Sequence, residues 1–132
     1  MKESDIWPKV RRALPSETYW TRIEDRSEVG IADVNLSRRG VEVWIEGKVI
    51  KKVNPRMVDI KLKTTQGLWL AGKKKSGSNV YILVFEEDSQ LWRVIDSGFE
   101  RYSKPVSRGF YLVNKTVELT SFLSSALRTA SK

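Results

Sequence analysis

Neither cysteine nor histidine occurs anywhere in the 132 residues. The first absence excludes disulfides, thiolate metal ligands and a cysteine nucleophile. The second excludes imidazole ligands, a histidine general base and any Ser/His/Asp triad. Long apolar runs are missing too: no stretch approaches the roughly 20 residues of a membrane-spanning helix, and no signal-peptide core follows the N-terminus. A soluble, cytoplasmic protein is expected, with no membrane partner. Repeats and low-complexity tracts are also absent, and the length suits a single domain over 1–132 with one core. The chemistry that survives uses carboxylates, Lys, Tyr, Ser or Thr. Carboxylates in turn suit hard, oxygen-bound ions such as Mg2+ or Mn2+.

Acidic residues are scarce in one place. Between Lys48 and Lys75 stand nine basic residues and a single acid, Asp59, so this segment holds the whole formal net charge of +8. Such a segment reads either as a solvated basic surface or as a groove for a polyanion, DNA above all. What precedes it favours the groove. Val29 to Lys52 contains two runs rich in Val and Ile around a polar break at Ser37 to Gly40, the pattern of a β-hairpin. Strand alternation puts Val41, Val43, Ile45, Gly47 and Val49 on one face of the second run, and Glu42, Trp44, Glu46 and Lys48 on the other. Glu46 and Lys48 are therefore neighbours. In the first run Asp33 interrupts an apolar strand, and a carboxylate there is costly unless a cation or donor faces it. A metal ion would supply one.

An acid on one strand followed by Glu-x-Lys on the next resembles the active site of the PD-(D/E)xK nuclease superfamily. Gly30-Ile31-Ala32-Asp33 is similar to the Gly-Ile-Pro-Asp hairpin of the virus-type replication-repair nucleases and the related Holliday junction resolvases, with Ala32 in place of the proline. The resemblance runs from Glu3, at the opening of the first helix, to Phe85, and includes Gln66 at the opening of the helix after the hairpin. It implies a restriction-endonuclease-like α/β fold, with a mixed sheet of about five strands flanked by helices in the core order αβββαβ. It also implies a homodimer acting on branched DNA, and a phage or mobile-element origin. A second acid-x-Lys, Asp59-Ile60-Lys61, is set aside because it follows a proline and lacks an acid on a preceding strand.

Along the rest of the chain, Ser4 can cap a helix from Asp5 to near Pro15, with Ile6, Val10, Ala13 and Leu14 inward. Glu3 at its mouth serves either the helix dipole or a metal. Arg11 and Arg12 face solvent or phosphate. Glu17 to Glu24 reads as the first strand. Thr64 or Thr65 can cap a helix reaching Lys75, whose stripe of Leu62, Gln66, Trp69 and Lys73 would turn Gln66 toward the site. Asn79 to Glu86 is a continuous apolar run, a central strand buried on both faces, and Gln90 to Asp96 follows as another. Ser97 to Gly109 reads as loop, anchored by Phe99 and Tyr102. Thr116 can cap a last helix with an apolar stripe of Leu119, Phe122, Leu123, Ala126, Leu127 and Ala130, to be buried on its own sheet or in a dimer.

The expected function is metal-dependent cleavage of DNA phosphodiesters, with branched-DNA or Holliday junction resolution foremost. Asp33, Glu46, the Gly47 carbonyl and Glu3 are the candidate Mg2+ or Mn2+ ligands. Asp33, Glu46, Lys48 and Gln66 are the candidate catalytic set. Arg11, Arg12, Lys51, Lys52, Arg56, Lys61, Lys63, Lys73, Lys74 and Lys75 are candidate backbone contacts. The rival is a non-catalytic nucleic-acid-binding domain that grips a strand by charge and by stacking on exposed Trp or Tyr. A sequence-specific restriction-type nuclease is disfavoured, because little chain remains for reading bases.

Overall fold

The computed structural model describes residues 1–23, 30–51, 62–99 and 114–128. Its centre is the expected hairpin. β2 (Val34–Arg38) and β3 (Val41–Ile50) are antiparallel, with Val34 opposite Ile45 and Arg38 opposite Val41. The two residues between them, Arg39 and Gly40, have φ of 50° and 82°. Positive φ at both positions is what a type I′ turn needs to match the strand twist. β1 (Tyr19–Arg22) adds to β2 antiparallel. Asp33 lies one residue outside β2 rather than within it, and its carbonyl accepts the Ile23 N–H at 2.8 Å. An aspartate fits a strand end better than a strand interior.

The alternation read in β3 is realised in its packing. Val43 and Ile45 join Ile6, Trp7, Val10, Leu119, Leu123 and Leu127 in one core, whereas Trp44 and Ile50 pack on a second core with Trp69, Leu70 and Phe99. The first core lies under α1 (Trp7–Ala13) and α3 (Leu119–Ala126), the second under α2 (Thr64–Lys75). Glu46 and Lys48 therefore share the α2 face. α2 is the crossover that lets β4 (Asn79–Glu86) run parallel to β3, as parallel neighbours require. β4 is central as expected. Leu83 and Phe85 enter one core while Val80, Ile82 and Val84 enter the other.

β5 (Leu91–Ile95) continues the sheet antiparallel, and β6 (Lys115–Val117) closes the order β1-β2-β3-β4-β5-β6, six strands among the described residues. The mixed α/β architecture is the one expected, with one strand more. Three residues, Lys-Thr-Val, are too few to show alternation, so β6 exists by pairing with β5. Thr116, expected to cap the last helix, faces Arg93 in that pairing. The cap is Glu118, whose carboxylate accepts the Ser121 N–H at 2.6 Å. Two other expected caps also differ. The first helix starts as a 3-10 turn over Glu3–Ile6, where Asp5 takes the Lys2 N–H at 2.8 Å. At α2 the capping position is Lys63, whose N–H goes to Gln66 Oε1 at 3.0 Å. In both helices a side chain in the first turn reaches back to a free N–H, so no hydroxyl ahead of the helix is needed.

Leu119, Leu123 and Leu127 bury the last helix's stripe on its own sheet and α1, one of the two expected outcomes. Phe99 is buried as a loop anchor. Tyr102, Ala130, Asn54-Pro55 and the Asp59-Ile60-Lys61 triplet lie outside the described residues. No helix among the described residues is long and apolar enough to cross a membrane.

Candidate active site

Asp33 and Glu46 meet through strand register. Val34 faces Ile45, so the ladder extended by one residue sets Asp33 against Glu46, and directly opposed residues share a face. Both are buried, at 8% and 2% exposure. Asp33 Oδ2 accepts the Gly47 N–H at 3.1 Å, which pins the carboxylate to the strand carrying Glu46 and Lys48. Lys48 Nζ lies 3.7 Å from Glu46 Oε2 and 3.4 Å from Glu3 Oε1. Gln66 enters from the first turn of α2, and its Nε2 donates to Glu46 Oε2 at 3.4 Å. Its other amide atom takes the Lys63 N–H. One side chain thus caps α2 and ties that helix to the acid.

Two glycines make this convergence possible. Gly30 has φ of 88°, and a Cβ there would overlap the Thr65 carbonyl, so the 30–33 segment can rest directly on the first turn of α2. Gly47 sits on the opposite face of β3 from Glu46 and Lys48. A Cβ at Gly47 would come within 2.5 Å of Trp7 Cζ2 and 2.8 Å of Ile6 Cδ1.

The structure therefore brings together Asp33, Glu46, Gly47, Lys48, Gln66 and, through its ion pair with Lys48, Glu3. The donor set fits a hard divalent cation. Two like-charged, largely desolvated carboxylates face each other through strand register, and their donors are oxygens, the kind such an ion takes. Among the described residues no group of three His, Cys, Asp or Glu side chains is placed to hold a metal ion.

The basic residues spread more widely. Lys51 is exposed just past β3, and Lys63 is exposed at the α2 cap. Lys73 lies over the rings of Trp44 and Trp69, 5.4 Å from each centroid. Lys74 and Lys75, with Ala71, Ser97, Gly98 and Phe99, border a cavity of about 470 Å3. Arg11 sits 5.5 Å over Trp20 in the layer behind the sheet, and Arg12 is exposed on the same helix. Lys52, Arg56 and Lys61 lie outside the described residues. No tryptophan is exposed. Trp7 and Trp69 are buried and Trp20, Trp44 and Trp92 are half-buried, so the indoles offer no open face for stacking, whereas Tyr19 is exposed. The contact of Trp7 with Gly47 has a faint sequence signal, a glycine inside an otherwise alternating strand, which marks close approach of another group.

No protein-family model matches the sequence. No curated protein matches it. Among solved structures, the chain is similar to Hjc, a Holliday junction resolvase from the archaeal hyperthermophile Archaeoglobus fulgidus, over 94% of this chain and 96% of that one, with a TM-score of 0.52 and 12% sequence identity. The likeness is one of fold: a mixed sheet with flanking helices, as in that resolvase, underlies the Asp33, Glu46 and Lys48 cluster.

Proposed function

We propose that this chain is a metal-dependent, structure-selective DNA endonuclease of PD-(D/E)xK type that resolves Holliday junctions or related branched DNA. The observation that carries the reading is the buried pairing of Asp33 with Glu46, with Lys48 and Gln66 gathered on Glu46. The resolvase-like fold supports it. Asp33, Glu46 and the Gly47 carbonyl would hold Mg2+ or Mn2+, with Glu3 at the rim. When bound, the ion supplies Lewis-acid polarisation of the scissile phosphate and activation of the attacking water.

The chain's own groups do the rest. Lys48 places a positive charge where negative charge develops on the phosphate and helps orient the water. Gln66 fixes Glu46 in orientation by donating to it. Lys51, Lys63, Lys73, Lys74 and Lys75, with Lys52, Arg56 and Lys61, hold the DNA backbone without reading bases, so cleavage follows structure rather than sequence. Arg11 and Arg12, on the far layer, add to the long-range field. A homodimer would present two such sites to the two strands cut at a junction, in a cytoplasmic setting.

The test is gel-resolved cleavage of a labelled four-way junction, a flap and a linear duplex, in Mg2+ or EDTA, with wild type, Asp33→Ala and Lys48→Ala. Symmetric paired cuts on the junction that vanish in EDTA and in both variants are expected. Magnesium-dependent cutting that survives Asp33→Ala would refute the site. Tight binding without cleavage in Mg2+, or in Mn2+ supplied in its place, would instead identify a nucleic-acid-binding domain.

A further inference from the structure

We infer that Trp7 is a positioning residue for the candidate active site, acting as a wedge behind β3 that sets the placement of the Glu46-Gly47-Lys48 segment. The inference rests on the nuclease reading for its kinetic consequences and on packing alone for its structural ones.

Gly47 is the residue between the candidate acid and the candidate lysine, so a movement of its backbone moves both. Its N–H is also the donor to Asp33. All three candidate groups are thus referred to one peptide segment. On the reverse side of that segment the Trp7 ring fills the space a Cβ would occupy, within 2.5 Å of where that atom would stand. Ile6 presses beside it. Any other residue at position 47 must displace the ring or lift the strand toward the α2 face.

The ring is itself held in place. Trp7 is 4% exposed and meets Trp20 edge-on at 5.8 Å between centroids. The Arg22 guanidinium lies 5.4 Å over Trp7, and that of Arg11 lies over Trp20. The buried Trp7 Nε1 has no hydrogen-bond partner among the described residues. A buried donor left unpaired is unfavourable, so what Trp7 contributes here is a broad flat surface and not a hydrogen bond. The same N-terminal segment carries Glu3, which contacts Lys48. The strand is therefore held from behind by Trp7 and Ile6, and its lysine is met by Glu3.

The test uses Trp7→Phe, Trp7→Leu, Gly47→Ala and the double variant Gly47→Ala with Trp7→Leu, in the full chain. Cleavage of the four-way junction gives kcat and KM, and amide hydrogen exchange followed by NMR gives protection at Gly47 and along β5. For Gly47→Ala and Trp7→Leu, kcat should fall tenfold or more with KM within twofold of wild type. The Gly47 amide should lose at least tenfold in protection while β5 amides keep theirs. Trp7→Phe should retain most of both, and the double variant should recover activity relative to Gly47→Ala, because the smaller leucine vacates the nearer of the two contacts and gives the end of Ile6 room to turn away from the new methyl. Loss of protection spread equally over Gly47 and β5 would show that Trp7 is only core. Wild-type kinetics with unchanged Gly47 exchange in the single variants would overturn the inference outright. Should the wild-type chain cut no DNA, the nuclease reading fails, and the exchange measurements still decide whether Trp7 positions the segment.

Discussion

Asp33 is bonded to a donor that no substitution short of proline removes, the backbone N–H of Gly47. Charge and structural role can therefore be separated. Asp33→Asn keeps an acceptor for that N–H but no longer offers an anion, so stability should change by no more than about 1–2 kcal/mol. Cleavage in Mg2+ should nevertheless drop by roughly 100-fold or more, the size expected when a directly acting electrostatic group is lost. Urea denaturation alongside single-turnover cleavage checks both halves. Gln66 is a second case, since its two amide atoms serve different partners. Gln66→Ala removes the donor to Glu46 and, on the proposed reading of Glu46 as a metal ligand, should lower cleavage by about 10- to 100-fold, the usual scale for a supporting group that orients such a ligand. An activity titration with Mn2+ would show the loss as a shift in the metal concentration needed.

At the level of elements, the hairpin and α2 were legible because their signals are periodic. Alternation in β3 assigned Glu46 and Lys48 to one face, and the three-four spacing of Gln66, Trp69 and Lys73 aimed Gln66 at it, whereas Leu62, expected on the same stripe, lies ahead of the helix. The helix starts were not legible, because a cap depends on which N–H is left free in space. α3 illustrates the point. Glu118 caps it, and the hydrogen bond from Ser121 holds its carboxyl below the ordinary value of 4.5. A folded-state value lowered in this way favours the fold at pH above the unfolded value, and the advantage is lost as pH falls through the folded one. Glu118→Ala should accordingly lower the unfolding midpoint near neutral pH, and the difference from wild type should vanish in acid below that range. Thermal melts from pH 7 to pH 3 would follow it.

For the whole molecule, two properties follow from charge and burial together. The positive excess lies in the segment from Lys48 to Lys75, which in sequence begins at the candidate lysine, and DNA binding by such a segment releases counterions. If about six phosphates are contacted, affinity should fall by roughly 10^3 between 50 and 200 mM salt. Neutralising Lys51, Lys63 or Lys74 should each reduce the slope of log affinity against log salt by about 1. A slope that stays flat would place the DNA elsewhere. The second property is alkaline sensitivity. Tyr81 is half-buried against Phe122, and burial, aided by the negative charge of Asp96, pushes its hydroxyl above the ordinary 10.0. A raised value means the native state keeps the proton longer than the unfolded chain, so stability is full below pH 10 and declines as pH climbs through the native value. Tyr81→Phe should flatten that decline in urea midpoints measured between pH 8 and pH 11.

What the sequence determined by itself was local or periodic: the hairpin and its faces, the buried central strand Asn79–Glu86, the apolar stripe of the last helix, and the chemistry left open by the lack of Cys and His. Each of these follows from spacing or composition along a few neighbouring residues. The tertiary structure alone decided the contacts that join distant positions. Glu3 meets Lys48 across 45 residues, Trp7 fills the space beside Gly47, and β6 forms only because β5 offers an edge. Nothing in the local pattern encodes these. They depend on where the chain's ends return once two cores have closed on the two faces of one sheet, and that is set by the packing of the whole.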